Sequence, residues 1–314
     1  MEKYTITKSI AAALYGQVLL GRDKCTGECV AIKKISLAAA TSHTALRDGY
    51  THIFEDIDVE KHTNRLLSAR GGHPHIVRMR QDFVQDGFIY LVFDYCAGGD
   101  LFDALERTHF PAHAAKRYFY QIAHAVAFMH ARGIAHRDLS LENVLLHEDD
   151  CYVCDFGVAA PAALQTNDSV GKRFYMAPEV VKGVSYDPTK ADVWSLGIML
   201  VLMLTGSPLC QRATSRDCRY AYMKAKGLRQ LFASWSVHLE PQALDLLERM
   251  LKINPAERLT VNQVLSHEYL RDQVAPSKCI NFQPEDYQAG AKEAKVFSFL
   301  NRFFKRQVVD SSSA

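Results

Sequence analysis

The hydrophobic pattern changes from strand-like to helix-like near residue 100, and this change restricts the fold more than any other feature. Before it lie short apolar runs such as "QVLLGRD", "CVAIKKI", "HIVRM", "DFVQ" and "FIYLVFDY". One helical segment, "IFEDIDVEKHTNRLLSA", interrupts them and ends before a Gly-Gly pair and a proline. After it, "AAKRYFYQIAHAVAFMHARG" and residues 187–206, 241–252 and 260–270 repeat apolar residues at helical spacing. The pattern predicts an α+β chain with a small β-rich lobe over residues 1–95 and a larger helical lobe over 96–274.

Composition and charge exclude several classes of function. The net charge of this 314-residue chain is only +2, so bulk charge gives no reason to expect a nucleic-acid partner. Its most apolar stretch, "GIMLVLMLTG", is far shorter than the roughly 20 residues of a membrane-spanning helix, so we expect no transmembrane segment. The start shows no secretory pattern, and the eight cysteines are scattered. Free thiols and a cytoplasmic or nuclear location are therefore the expectation.

Four short motifs occur in a fixed order along the chain. They are "VAIK" (30–33), "HRDLSLEN" (136–143), "DFG" (155–157) and "APE" (177–179). In this order and at this spacing they resemble the signature of the eukaryotic protein kinase family, over about residues 4–274. The tyrosine two residues before "APE" is similar to serine/threonine members. The resemblance implies a two-lobed fold, ATP and Mg²⁺ as cofactors, and transfer of the γ-phosphoryl group to protein Ser/Thr hydroxyls.

The resemblance also assigns the chemistry to particular side chains. Lys33 is expected to hold the α- and β-phosphates of ATP, and Asp138 to accept the proton of the substrate hydroxyl. Asn143 and Asp155 carry the oxygen ligands that Mg²⁺ prefers. The remaining residues expected to line the nucleotide site are Ile10, Val18, Ala31, Phe93, Asp94, Cys96, Asp100 and Leu145. Asp100 also reads as a helix N-cap before "LFDAL", and the two roles are compatible because a carboxylate has two oxygens.

The glutamate that pairs with the strand lysine is less certain from sequence. Family members place it on the helix that follows the lysine strand, and both Glu55 and Glu60 qualify here. Counting back from "HPHIV", with Gly71-Gly72 as an insertion, favours Glu60.

The loop that covers the phosphates departs from the family pattern. Its register, "AAALYGQV", puts Ala11 and Ala13 at two of the three glycine places and keeps Gly16. Glycine allows close approach of backbone amides to phosphate and positive φ, so we expect weakened ATP binding. This degenerate loop leaves a second hypothesis, a pseudokinase that acts as a scaffold with weak nucleotide binding.

A second departure involves two loops at once. Serine/threonine kinases usually carry lysine where Ser140 stands and threonine where Lys172 stands, and the family fold brings these positions together. The pair reads as an exchange of cation and hydroxyl, with Lys172 taking the phosphate-facing role. Two unrelated surface substitutions are the alternative, because exposed lysine is common.

The same loop suggests how its conformation is maintained. Asp168 stands where many relatives carry an activating phosphothreonine, and its carboxylate could pair with Arg137. A solvated loop aspartate is the equal alternative, and Thr166 and Ser169 are further candidate phosphorylation sites.

The tail, residues 275–314, lies beyond the resemblance. Residues 291–309 form a predicted basic amphipathic helix with five Lys/Arg and one Glu. Docking on the helical lobe, binding to a calmodulin-like partner and contact with an anionic membrane all fit this pattern.

Overall fold

A five-stranded antiparallel sheet forms the N-terminal lobe. The computed structural model describes residues 1–13, 15–42 and 55–273, so the tail and its predicted helix at 291–309 lie outside the described residues. The strand order is β1-β2-β3-β5-β4. The strands span Tyr4–Ala13 (β1), Gly16–Asp23 (β2), Cys29–Ser36 (β3), Met79–Gln85 (β4) and Phe88–Asp94 (β5). The β4–β5 hairpin turns at Asp86 and Gly87, both with positive φ, as the tightest hairpin turns require.

In the described part of this lobe, two helices accompany the sheet, α1 (Leu37–Ser42) and α2 (Ile57–Ser68). Asp56 is the N-cap of α2, and its side chain accepts hydrogen bonds from two backbone amides of the first turn. The predicted helical segment began near residue 53, whereas the helix begins at Ile57 because Asp56 is extended. Residues 53 and 54 lie outside the described ranges.

The C-terminal lobe is helical around one buried helix. Its helices are α3 (Leu101–Arg107), α4 (Ala112–Ala131), α5 (Pro178–Lys182), α6 (Pro188–Thr205), α7 (Cys218–Lys226), α8 (Leu228–Ser234), α9 (Pro241–Met250) and α10 (Val261–Leu265). Helix α6 is apolar on nearly all sides, and it packs against α4 and α9 in the largest core cluster. No helix within the described ranges is both long and apolar enough to cross a bilayer.

Four short strands and four 3₁₀ segments complete the fold. The strands are β6 (Ile134–Ala135), β7 (Val144–His147), β8 (Asp150–Val153) and β9 (Ala160–Pro161). The 3₁₀ segments are Ala69–Gly71, Leu141–Asn143, Pro255–Glu257 and Glu268–Leu270. The segment predicted helical at 260–270 is divided, because His267 leaves helical geometry and caps the last 3₁₀ turn. The "HIVRM" run is also not one strand, since Ile76 instead bridges to Val153.

The two lobes are joined at the β7–β8 hairpin. The segment after β5 pairs with β7 through Gly98 N–H to Leu146 O (2.8 Å), and Val77 donates to Val153 O (3.0 Å). A Cβ on Gly98 would lie only 2.7 Å from the Leu146 side chain, so glycine permits this close approach. The predicted two-lobed α+β fold is confirmed.

Candidate active site

One face of the sheet presents the lysine of the first motif. Val18 pairs with Lys33 and Phe93 with Ala31 across neighbouring strands, and Ala31 and Lys33 are two residues apart on β3. All four side chains therefore lie on the same face of the sheet. Lys33 Nζ donates to Glu60 Oε1 at 2.6 Å. Of the two glutamates that the sequence left open, Glu60 forms the ion pair. Burial lowers the pKa of Lys33, but the facing carboxylates of Glu60 and Asp155 outweigh it and raise the pKa overall.

Glu55 lies beside the site without pairing with Lys33 in a hydrogen bond. It precedes α2, and its side chain packs against Gly157 of the third motif, where an added Cβ would meet it at 3.0 Å. Burial and the neighbouring Asp155 charge raise the pKa of Glu55 to about 8. The sequence offered Glu55 as the alternative partner of Lys33, and the structure places its side chain beside "DFG" instead.

The segment that carries the second motif, residues 136–143, is called here the catalytic loop. The buried helix α6 anchors it by hydrogen bonds. Asp192 accepts hydrogen bonds from the backbone amides of His136 (2.8 Å) and Arg137 (2.9 Å). Arg137 has a φ of 67°, an uncommon value for a residue with a side chain. His136 Nε2 lies 3.1 Å from Cys154 O, which connects this loop to the residue before Asp155. The anchors stabilise a backbone conformation that costs free energy on its own.

Asp138 lies at the centre of a hydrogen-bonded cluster. Asn143 Nδ2 donates to Asp138 Oδ2 at 2.8 Å, and the backbone amide of Lys172 donates to Asp138 Oδ1 at 2.9 Å. Lys172 Nζ lies 3.2 Å from Asp138 Oδ2, 2.8 Å from Ser140 Oγ and 3.0 Å from Asn143 Oδ1. The structure thus brings Asp138, Ser140, Asn143 and Lys172 together.

Asp155 faces Lys33 at the other side of this cluster. Its Oδ1 lies 3.9 Å from Lys33 Nζ, is buried and has no hydrogen-bond partner. Burial opposes ionisation of Asp155, but the Lys33 and Lys172 ammonium groups outweigh it and lower the pKa of this carboxyl. An ionised carboxylate oxygen without a hydrogen-bond donor is a ligand that Mg²⁺ prefers. The Asn143 side-chain oxygen is a second one, and magnesium there would replace the Lys172 ammonium that lies 3.0 Å from it. These two residues fit a magnesium ion on the chemistry of their oxygen atoms.

The described residues of the glycine-poor loop pair as two antiparallel strands. Ala11 pairs with Val18 and Ala13 with Gly16, and neither alanine has positive φ. The strain that alanine would suffer at positive φ therefore does not arise in this conformation. Gly16 is different, because a Cβ there would lie 1.9 Å from Lys34 O. Ile10 is half-buried beside a register shift in β1.

The segment that joins the lobes has its own polar contacts. Asp94 is buried, and its carboxylate accepts a hydrogen bond from Arg80 Nε at 2.5 Å. This side chain therefore links β5 to β4. Cys96 is buried against Val77 and Tyr152, and Leu145 packs at the edge of the same cluster. Asp100 bridges to Leu145, and its Oδ1 accepts from Asp103 N at 2.8 Å as the N-cap of α3. Burial raises the pKa of Asp100 to about 6.

The loop between "DFG" and "APE" makes an ion pair with the catalytic loop. Arg137 Nη1 lies 3.1 Å from Asp168 Oδ2. Thr166 is buried and accepts from Asp168 N at 3.2 Å, whereas Ser169 is exposed. Of the two candidate phosphorylation sites, only Ser169 presents its side chain to solvent.

Two residues important to the site gave no clear sequence signal. Tyr15 is 2% exposed and packs in the sheet core, and its hydroxyl donates to Glu55 O at 2.9 Å. Gly171 has a φ of 96°, and a Cβ there would lie 2.6 Å from Arg137 O. The sequence shows a glycine directly before Lys172, but only the structure shows that a side chain at position 171 would clash with Arg137 O.

Comparisons with known proteins agree with this geometry. A family model described as protein kinase domain matches residues 4–270. The Drosophila melanogaster serine/threonine-protein kinase grp is 32% identical over 88% of this chain and 52% of its own length. The Arabidopsis thaliana CBL-interacting serine/threonine-protein kinase 5 is 31% identical over 87% of this chain and 59% of its own length. The serine/threonine-protein kinase SRK2J of the same plant is 32% identical over 90% of this chain and 82% of its own length.

The chain thus spans little more than half the length of the first two of these relatives. The match covers both lobes and every residue of the cluster around Asp138. The resemblance found in the four motifs is confirmed, and the chain belongs to the protein kinase family.

Proposed function

We propose that this protein transfers the γ-phosphoryl group of Mg-ATP to serine or threonine hydroxyls of protein substrates. The observation that carries the proposal is the position of Lys33, whose ammonium lies 2.6 Å from Glu60 and 3.9 Å from Asp155. The two carboxylates fix the position of the Lys33 ammonium and keep it charged, and phosphoryl transfer depends mainly on positioning and charge, so we assign Lys33 to the phosphate oxygens of ATP. The relatives that are named serine/threonine kinases support the class of acceptor.

Each residue of the cluster has a separate task in this reaction. Lys33 binds phosphate oxygens, and its raised pKa keeps it charged at neutral pH. Asp155 and Asn143 would hold magnesium, which supplies positive charge to the phosphate oxygens when bound. Asp138 orients the substrate hydroxyl and accepts its proton as the new oxygen–phosphorus bond forms and the bond to the ADP oxygen breaks.

A pseudokinase scaffold is the second candidate, and Ala11 and Ala13 are the observation in its favour. Their methyl groups line the strand that covers the phosphates, where glycine would allow closer approach of the backbone. The side chains of Lys33, Asp138, Asn143 and Asp155 argue for the enzyme instead. A scaffold has no need of a buried Asp155 oxygen that lacks a hydrogen-bond donor.

A phosphate-transfer assay separates the two. The purified chain would be given radiolabelled Mg-ATP and a generic Ser/Thr substrate protein, beside its Asp138→Asn and Asp155→Asn variants. We expect transfer by the wild type and losses of at least about 100-fold in both variants, with unchanged circular dichroism. Asp149→Asn, at an exposed turn, is the control and should match the wild type. Nucleotide binding without transfer by the wild type would favour the scaffold.

For the tail, we propose a docking role for residues 291–309. Their basic and apolar faces suit the helical lobe of the same chain or a calmodulin-like partner. Three matched relatives carry the words CBL-interacting in their names, which makes a regulatory protein partner a reasonable choice to test. Calorimetric titration of calmodulin into the full chain, with and without Ca²⁺, tests it against a Lys295→Glu, Arg302→Glu variant. Absence of binding heat from the wild type would contradict the calmodulin-like partner and leave the helical lobe and an anionic membrane as the alternatives.

A further inference from the structure

The ammonium group of Lys172 lies among three oxygen atoms of the catalytic loop. Its Nζ is 2.8 Å from Ser140 Oγ, 3.0 Å from Asn143 Oδ1 and 3.2 Å from Asp138 Oδ2. The side chain is 24% exposed and Ser140 is fully buried. These contacts are those of a cation fixed in a polar pocket, and a solvated surface lysine would not make them.

The backbone at Lys172 is also bonded to the catalytic loop. Gly171 brings the loop against Arg137 O, at a φ that a residue with a side chain would adopt only at a cost. The amide of Lys172 then donates to Asp138 Oδ1 at 2.9 Å. One residue therefore contacts both carboxylate oxygens of Asp138, and the two loops share a single hydrogen-bonded unit.

The position of Asp138 sets how far this cation is from the reacting atoms. A base must lie within about 3 Å of the hydroxyl whose proton it accepts, and the attacked atom lies about 3 to 3.5 Å beyond that oxygen. Lys172 Nζ is one hydrogen-bond length from the same carboxylate. A lysine ammonium at that distance would reach the oxygens of a group transferred there if it exchanged one of its three contacts.

On the proposed function, we propose that Lys172 is a catalytic residue that contacts the transferring phosphoryl group and forms one functional unit with Ser140. The cation comes from the loop at 171–179, and the catalytic loop contributes the hydroxyl that receives it. Ser140 leaves space for this arrangement because its side chain is small and wholly buried. A lysine at both positions would put two cations in one pocket, which like-charge repulsion disfavours.

A double-mutant cycle tests whether the cation and hydroxyl act together. The four proteins are wild type, Lys172→Thr, Ser140→Lys and the double variant, compared by kcat at saturating Mg-ATP. Lys172→Thr should lower kcat by about 100-fold, because no lysine then faces the phosphoryl group from either loop. Ser140→Lys alone should not raise kcat. The double variant should recover at least about tenfold over Lys172→Thr, because it again holds one lysine in this pocket.

A binding measurement gives a readout that needs no turnover. ADP affinity would be measured with and without aluminium fluoride, which mimics the transferring phosphoryl group, in the presence of magnesium. The wild type should bind ADP more tightly with the mimic, because a group that acts in the transition state binds its analogue best. Lys172→Thr should lose most of that increase and the double variant should regain it. Lys224→Met, an exposed lysine on α7, is the matched control and should behave as wild type.

The outcomes separate this inference from the proposed function. Failure of the wild type to transfer phosphate overturns the proposed function, and this inference with it. Transfer that depends on Asp138 but survives Lys172→Thr unchanged overturns this inference alone. Additive effects in the cycle, or an equal response to aluminium fluoride in wild type and Lys172→Thr, would assign Lys172 a packing role only.

Discussion

At the residue scale, the carboxylate of Asp100 both caps a helix and is largely removed from solvent. Its Oδ1 caps α3, and burial raises its pKa to about 6. Between pH 4 and 6 the folded protein thus binds more protons at this group than the unfolded chain does. The contribution of Asp100 to the free energy of unfolding therefore falls as the pH rises through this window.

Asp100→Asn should remove that pH dependence. Asparagine is an equally good N-cap and does not ionise, so the helix start is retained. At pH 7 we expect the variant to be more stable than wild type by on the order of 2 kcal/mol, and the gain should shrink towards pH 4.5. Urea unfolding at the two pH values measures it, with Asp149→Asn as the exposed control. A gain that is equal at both pH values would contradict the assignment.

Tyr15 connects two elements of the N-terminal lobe, the β1–β2 hairpin and the start of α2. Its ring packs with Ile35, Ile57 and Leu91, and its hydroxyl bonds to Glu55 O. Tyr15→Ala should lower the free energy of unfolding by about 3 to 5 kcal/mol, because it leaves a cavity in the sheet core. Tyr15→Phe should cost only about 1 kcal/mol, the value of one hydrogen bond. Chemical denaturation that gave equal losses for both variants would place the stabilisation in the hydroxyl instead of the ring.

The ion pair of Arg137 and Asp168 links the loop before "APE" to the catalytic loop. The contact is 3.1 Å long, Arg137 is largely buried, and Asp168 is half exposed. We expect protein treated with phosphatase to remain active, because the carboxylate already supplies part of the charge that a phosphate would bring. Asp168→Asn should lower kcat several-fold under these conditions. Asp149→Asn, whose ion-pair partner Arg117 lies at 3.6 Å, is the matched control. Full loss of wild-type activity after phosphatase treatment would show that the pair does not suffice.

At the scale of the whole molecule, Arg258 joins distant parts of the helical lobe. Its guanidinium contacts Glu179 at 2.6 and 3.1 Å and the carbonyl oxygens of Lys190 and Lys252. Arg258→Met should cost about 3 to 5 kcal/mol of unfolding free energy, because it leaves a buried carboxylate without its partner. Adding Glu179→Gln should recover part of that loss, since the remaining group is neutral.

Urea unfolding of the two variants measures this effect. Arg249→Met breaks an exposed pair with Asp245 and is the matched control, expected to cost at most about 1 kcal/mol. A similar cost for Arg249→Met and Arg258→Met would show that burial of the pair does not govern its contribution.

The sequence by itself determined the local elements and the residues that carry the chemistry. Helix α6 follows from an apolar run between Asp187 and Gly206, its two caps, because capping and hydrophobicity act within a few residues. The order of the four motifs predicted the family and the two lobes, and that prediction is confirmed. Such features are readable in a sequence because they depend on neighbours along the chain.

Tertiary structure decided between the contacts that the sequence left open. Glu60 and not Glu55 pairs with Lys33, and Tyr15 lies inside the sheet core. The family resemblance predicted that Ser140 and Lys172 lie close together. Only the structure shows that the Lys172 ammonium contacts Ser140, Asn143 and Asp138 at once. The contacts of Lys33 with Glu60 and of Lys172 with these three residues join positions 27 to 34 residues apart in the chain. Packing and desolvation choose among contacts at such separations, because the free energy of each contact depends on everything buried around it.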